Sequence, residues 1–219
     1  PDVIVGNNGS SEVVVYTNLA NVGALGASDF LGASTNGVAG GVRAVAAADM
    51  DNDGKVDLVV LPVSGGTISV LLNVSTNPVG YLEFGPAASF ATGADPRGVL
   101  ARDLDGDGRP ELAIVNNGDN NVSLLSNLST PGNLSLNPAG TVAVGAGPVN
   151  LKGADMDGDG AVDFVVLNAG SANVTVIRNG STPGTISFDP PATLNSAIGA
   201  PSDLAIGDLN GDGRRDIVV

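Results

Sequence analysis

A nine-residue acidic pattern returns four times along the chain at nearly constant spacing, and this repeat constrains the fold more than any other feature. Oxygen-bearing side chains stand at positions one, three, five and nine, with glycine at six. The copies are Asp49, Asp51, Asp53 and Asp57 around Gly54, Asp103, Asp105, Asp107 and Glu111 around Gly108, and Asp155, Asp157, Asp159 and Asp163 around Gly160. The last is Asp208, Asn210, Asp212 and Asp216 around Gly213. Their starts are 54, 52 and 53 residues apart. Whatever fold the chain adopts must therefore be built from one unit used several times over.

A period of this length belongs to propeller blades and stacked arrays. Each period has the same internal order. A strand such as Val42–Ala48 or 98–102 enters the loop, and a short aliphatic run leaves it: Leu58–Leu61, Leu112–Val115, Phe164–Leu167 and Ile217–Val219. Short runs of β-formers bounded by Asp, Gly or Asn read as strands buried on both faces. A turn rich in Asn, Gly and Ser follows, then an alternating strand (67–72, 122–125, 174–177) that ends at Asn73, Asn127 or Asn179, always 24 residues after the loop start. The last strand is the least regular and is expected near Tyr81–Phe84 and Thr185–Phe188. No segment keeps a helical apolar period.

The expected fold class is thus all-β. Tandem four-stranded antiparallel blades, β-propeller-like, form either part of a propeller or an open, filamentous array. A single such sheet cannot bury both faces, so neighbouring units must stack on it. Counted from loop to loop, the repeats are 1–48 (without a loop of its own, beginning mid-blade), 49–102, 103–154, 155–207 and the start of another at 208–219. The opening 1–5 matches 215–219, which makes Asp2 a ninth-position carboxylate. The expectation is a segment cut from a longer repeat array.

Packing four acids into nine residues is repulsive unless a cation is present, and a simple turn needs only one or two Asp or Asn. A hard cation such as calcium takes roughly six to eight oxygens at about 2.3–2.6 Å, with glycine where the loop turns sharply. The EF-hand pattern wants an acid at position twelve and flanking helices. Here position twelve is Val60, Ile114, Val166 or Val219, and the flanks are β.

Charge supports the same reading. The formal net charge is −14, but the four loops hold 15 of the 23 acidic residues, leaving eight acids against nine Lys and Arg. Four bound divalent ions would bring −14 to −6. No basic patch tracks a phosphate backbone, so nucleic acid is not an expected partner, and no apolar run is long enough to span a bilayer. The chain has no Cys and no His. With its acids committed to the loops and no nucleophile motif, it is not expected to be an enzyme.

The loop and the aliphatic strand after it resemble the FG-GAP and VCBS repeats, related to the blades of integrin α-subunit propellers. That resemblance implies side-chain ligands at positions one, three, five and nine. It also implies a backbone carbonyl ligand at seven, here Lys55, Arg109, Ala161 and Arg214. About one calcium ion per loop is expected. Glu111 departs from Asp at position nine, and Asn210 lowers the charge of the last site by one.

The function expected is that of an extracellular or cell-surface repeat protein, stabilised by calcium and structural or adhesive in role. Further copies of the same chain and surface glycans are the candidate partners. A ligand- or glycan-binding propeller module and a non-catalytic domain of a secreted enzyme are the alternatives. Sugar stacking usually draws on Trp or Tyr, and the chain has no Trp and two Tyr, Tyr16 and Tyr81. Seven Asn-x-Ser/Thr sequons occur, at Asn8, Asn73, Asn121, Asn127, Asn133, Asn173 and Asn179. The shared phase of Asn73, Asn127 and Asn179 is read as an amide that caps the strand end.

Overall fold

The computed structural model describes residues 2–19, 26, 30–38, 40–76, 82–195, 199 and 201–219. Among these residues there is no helix; 17 strands form five antiparallel sheets. Sheet 1 holds β1 (Val3–Asn7), β2 (Glu12–Asn18) and β3 (Phe30–Gly37). Sheet 2 holds β4 (Val42–Ala48), β5 (Asp57–Pro62), β6 (Thr67–Leu71) and β7 (Ala88–Ala91). Sheet 3 holds β8 (Pro96–Arg102), β9 (Glu111–Asn116), β10 (Asn121–Asn127) and β11 (Leu136–Ala143). Sheet 4 holds β12 (Pro148–Ala154), β13 (Asp163–Asn168), β14 (Asn173–Ile177) and β15 (Ala192–Asn195), and sheet 5 pairs β16 (Ala205–Gly207) with β17 (Asp216–Val218).

Every sheet is a meander in chain order, so each acidic loop is the turn from a first strand to a second. The sheets start one strand ahead of the loop-to-loop periods, because the loop lies inside a sheet and not between two. First strands of successive sheets lie beside each other, β4 by β8, β8 by β12 and β12 by β16. No sheet closes on itself among the described residues.

The second strands show why the units must stack. All six residues of β5, β9 and β13 are buried. Because successive side chains point to opposite faces, each of these strands feeds two different cores. Leu58 and Val60 pack with Val13 and Val15 of sheet 1, while Val59 and Leu61 pack with Leu112 and Ile114 of sheet 3. Ala113 and Val115 meet Phe164 and Val166 of sheet 4, whose Val165 and Leu167 turn to Leu204 and Ile206. The four cores all lie between consecutive sheets. Phe164 is fully buried, and its ring stacks on Phe188 with centroids 4.5 Å apart.

The fourth strand corrects the sequence expectation. Residues 185–188 are not a strand: Thr185 pairs only with Thr182 and Phe188 only with Asn179, as isolated bridges. In sheet 2, Phe84 bridges Asn73 in the same way, and Tyr81 lies outside the described residues. The ladder resumes at Ala88–Ala91 and Ala192–Asn195. Pro86 and the pair Pro190–Pro191 stand in the gaps, where the lack of an N–H donor interrupts pairing.

Candidate metal centres

The four loops share one hydrogen-bond plan. The N–H at position six donates to the first carboxylate, Gly54 to Asp49, Gly108 to Asp103, Gly160 to Asp155 and Gly213 to Asp208, at 2.8–3.0 Å. Position five donates to the third side chain, Asp53 to Asp51, Asp107 to Asp105, Asp159 to Asp157 and Asp212 to Asn210. The N–H groups of Lys55, Arg109, Ala161 and Arg214 donate to the carboxylate at five, each at 2.8 Å. Position two donates to the ninth: Met50 to Asp57, Leu104 to Glu111, Met156 to Asp163 and Leu209 to Asp216. The carboxylates are thereby turned inward and held by backbone. The geometry needs positive φ twice, at glycine six and at position four, where Gly106, Gly158 and Gly211 have φ of 80–88° and Asn52 has 63°. Asn is the residue after glycine that best tolerates that region.

Among the described residues, three groups of acids bring oxygens within 4.8 Å of one another: Asp49, Asp51 and Asp53; Asp103, Asp105 and Glu111; and Asp155, Asp157 and Asp163. That span suits oxygens sharing one cation at about 2.3–2.6 Å each. The fourth loop, with Asn210 in place of an acid, forms no such three-acid group. Asp57 lies outside the tight group of the first loop, as do Asp107 and Asp159 in theirs. Asp2 joins no group among the described residues, yet its Oδ1 accepts the Asn18 N–H at 2.9 Å, as Asp57 accepts that of Asn73 and Asp163 that of Asn179. Asp2 therefore occupies the ninth-position relation.

Basic side chains balance part of the charge. Lys55 pairs with Asp53, and Arg109 with Asp107. Ala161 cannot supply such a partner; Arg178, from the end of the third strand, pairs with Asp157 and Asp159 instead. The hydrogen bond from Lys55 holds the Asp53 carboxyl below its usual range, and Arg178 does the same for Asp157. The Asp208 carboxyl is lowered by the N–H groups of Gly213 and Gly211.

Asp57 and Glu111 behave oppositely. Each is 1% exposed, and burial pushes Asp57 up to about 6 and Glu111 up to about 7. These are buried carboxylates short of positive charge, and the all-oxygen donor set around them fits a hard cation. A sign follows for the metal-free protein. With folded values above the unfolded ones, ionisation penalises the folded state, fully so above the folded values. Metal-free protein should therefore gain stability as pH falls from about 8 to about 5. Protein saturated with metal should lose stability over the same range, because protons and cation compete for the same oxygens. Paired thermal melts across pH check both arms.

The sequence reading missed three partners of the loops. Position two is apolar in every copy, and Met50 and Leu104 are buried in the cores against the next sheet. The glycine of a later turn reaches back: Gly132 N–H donates to Asp51 Oδ2 at 2.6 Å, and Gly184 N–H to Asp105 Oδ2 at 2.8 Å. Asn127 and Asn179 do cap their strand ends, accepting from the N–H groups of Ser129 and Ser181. Their amides also cross to the previous sheet, donating to Met50 O and Leu104 O. Recurrence of Met or Leu inside an acidic loop was the available signal for the first. The Thr-Pro-Gly turns were the signal for the second.

Tandem antiparallel blades of the propeller type, with an acidic loop between the first two strands of each sheet from sheet 2 to sheet 5, define the class. The chain belongs to the FG-GAP-like repeat family, whose model matches residues 49–114, 103–166 and 155–219. No curated protein matches it. Among solved structures it is similar to the Pseudomonas aeruginosa periplasmic gluconolactonase PpgL (18% identity, TM-score 0.57, covering 99% of this chain and 53% of that one). It is also similar to an Agrocybe aegerita lectin that recognises non-reducing terminal N-acetylglucosamine (20%, 0.56, 99% and 60%). A third is a protein of unknown function from Desulfotomaculum acetoxidans (19%, 0.51, 86% and 54%). At these identities the likeness concerns the fold alone, and the chain spans little more than half the length of each.

Proposed function

We propose that this chain is a structural segment of an extracellular or cell-surface repeat protein, non-catalytic, whose blades are locked to one another by calcium bound in the acidic loops. The observation that carries this reading is the placement of the loops. Loops 49–57 and 103–111 are each held from the next sheet, at the carbonyl of position two and the carboxylate of position three. A cation bound there would stiffen a joint between blades. Every core is likewise shared between neighbours, so the unit extends by addition of copies, as a longer array or filament does. Extracellular calcium modules bind at about 10⁻⁴–10⁻³ M, which suits an address outside the cytosol.

A glycan-binding role gains little support. A groove of about 750 Å³ between β12 and sheet 5 is lined by Lys152, Asp155, Asp203 and Arg215 with glycine and aliphatic residues and has no aromatic ring. Electron microscopy of native material with calcium and after chelation tests the architectural reading. Elongated, regularly repeating particles that loosen on chelation are expected. Discrete compact particles, identical in both conditions, would sink it.

A further inference from the structure

The loops are not isolated from one another. The Nδ2 of Asn127 donates to Met50 O, at position two of loop 49–57, and to Pro110 O, at position eight of loop 103–111, both at 2.9 Å. Asn179 repeats this one sheet further on, donating to Leu104 O at 2.8 Å and Val162 O at 3.1 Å, in loops 103–111 and 155–163. Both asparagines are buried, at 1% and 2% exposure. Neither amide can turn freely, since each Oδ1 accepts a backbone N–H two residues on, that of Ser129 or Ser181 at 2.9 Å. The Asn179 backbone N–H also binds the ninth-position Asp163 at 2.8 Å. One fixed amide thus has one hydrogen on each of two consecutive loops.

We infer that Asn127 and Asn179 are positioning residues that couple the first three cation loops in series, so that filling one loop favours filling its neighbours. The inference rests on the calcium reading of the loops. An ion that orders one loop fixes the position-two or position-eight carbonyl bound to the amide. The amide then holds the adjoining loop in its ordered form, so the ordering cost is met once for two sites. The glycine contacts act in the same sense. Gly132 and Gly184 each hold one oxygen of a position-three carboxylate, so orienting that carboxylate toward an ion also seats the next sheet. Such coupling must be reciprocal, each site changing its neighbour's affinity by the same factor.

The test follows calcium titration of the full chain by NMR, reading the position-six amides of Gly54, Gly108 and Gly160 as reporters of three separate loops. The second loop is disabled by Asp103→Asn with Asp107→Asn, which keeps an oxygen acceptor at both positions. The midpoints at Gly54 and Gly160 should both rise by about fivefold or more, the lower end of common coupling. In a background of Asn127→Ala, the same loop change should still move Gly160 fully but move Gly54 clearly less than in the native chain; Asn179→Ala should give the converse. Midpoints at Gly54 and Gly160 that stay within about twofold when the second loop is disabled overturn the coupling, while calcium binding itself stands. If either Asn variant fails to fold, the loop change in the otherwise native chain decides alone. No response of any glycine amide to calcium removes the calcium reading and the coupling together.

Discussion

Removing calcium should lower the melting temperature of this protein by about 10–20 °C. The estimate starts from linkage: at ten times its dissociation constant, one ion stabilises the folded chain by about 1.4 kcal/mol. Three complete loops then contribute about 4 kcal/mol and four about 6 kcal/mol if the sites are independent, against a typical domain stability of about 5–15 kcal/mol. For a chain of this size each kcal/mol moves the midpoint by about 2–4 °C. The effect should fall short of complete unfolding, because the cores between sheets, which hold the second strands, do not involve the ions. Part of the loss should come from Asp57 and Glu111, which are left buried without a counter-charge. Melts in calcium, in magnesium and in excess chelator measure it. Magnesium should restore little, since it demands near-octahedral geometry and keeps its waters. A melt unchanged by chelator would remove the structural role of the ions.

How much of this was legible in the sequence depends on whether a feature repeats with a fixed residue type. The loops did, and three of them bring three acids each within 4.8 Å of one another. The second strands did too, because Leu58–Leu61, Leu112–Val115 and Phe164–Leu167 are unbroken apolar runs between turn residues. Their burial on two faces implied neighbours on both sides, and the cores between sheets are those neighbours. The fourth strands repeat neither in residue type nor in length. Their position is decided by where Pro86 and Pro190–Pro191 stop the ladder, and a weak β pattern upstream, at 185–188, was the more visible signal.

Contacts between loops were harder to read, because they join residues 75–81 positions apart: Asn127 to Met50, Asn179 to Leu104, Gly132 to Asp51 and Gly184 to Asp105. Phase alone could not reveal them. The constant 24-residue offset of Asn73, Asn127 and Asn179 pointed to a local cap, which is present, but a side-chain amide has two hydrogens and a cap uses only its oxygen. Asn18 holds the same place in sheet 1 and was missed because the offset is counted from a loop start, and none of the four loops belongs to that sheet. The side chains of Lys55 and Arg109 were given no role, because the resemblance implied only a backbone carbonyl at position seven. Both pair with the carboxylate at five, and Arg178 takes their place where position seven is Ala161.

Phe164→Ala should destabilise the protein by about 3–5 kcal/mol, the usual cost of truncating a buried aromatic, and lower the melting temperature by roughly 6–20 °C at about 2–4 °C per kcal/mol. Phe164 is fully buried at the centre of the core between sheets 3 and 4, packed with Ala113, Val115 and Leu124 and stacked on Phe188. In a stacked repeat each unit touches only its neighbours, so the loss should be local. Hydrogen exchange should accelerate across β9, β10, β13 and β14 while β2 and β5, which share the core of Val13, Val15, Leu58 and Val60, keep their protection at the first stages of opening. Loosening that reached the sheet 1–sheet 2 core as strongly as the mutated one would mean a single cooperative body. Loops 103–111 and 155–163 flank the damaged joint and should bind more weakly there, so calcium should add less stability to this variant than to Val13→Ala, whose site is buried between sheets 1 and 2.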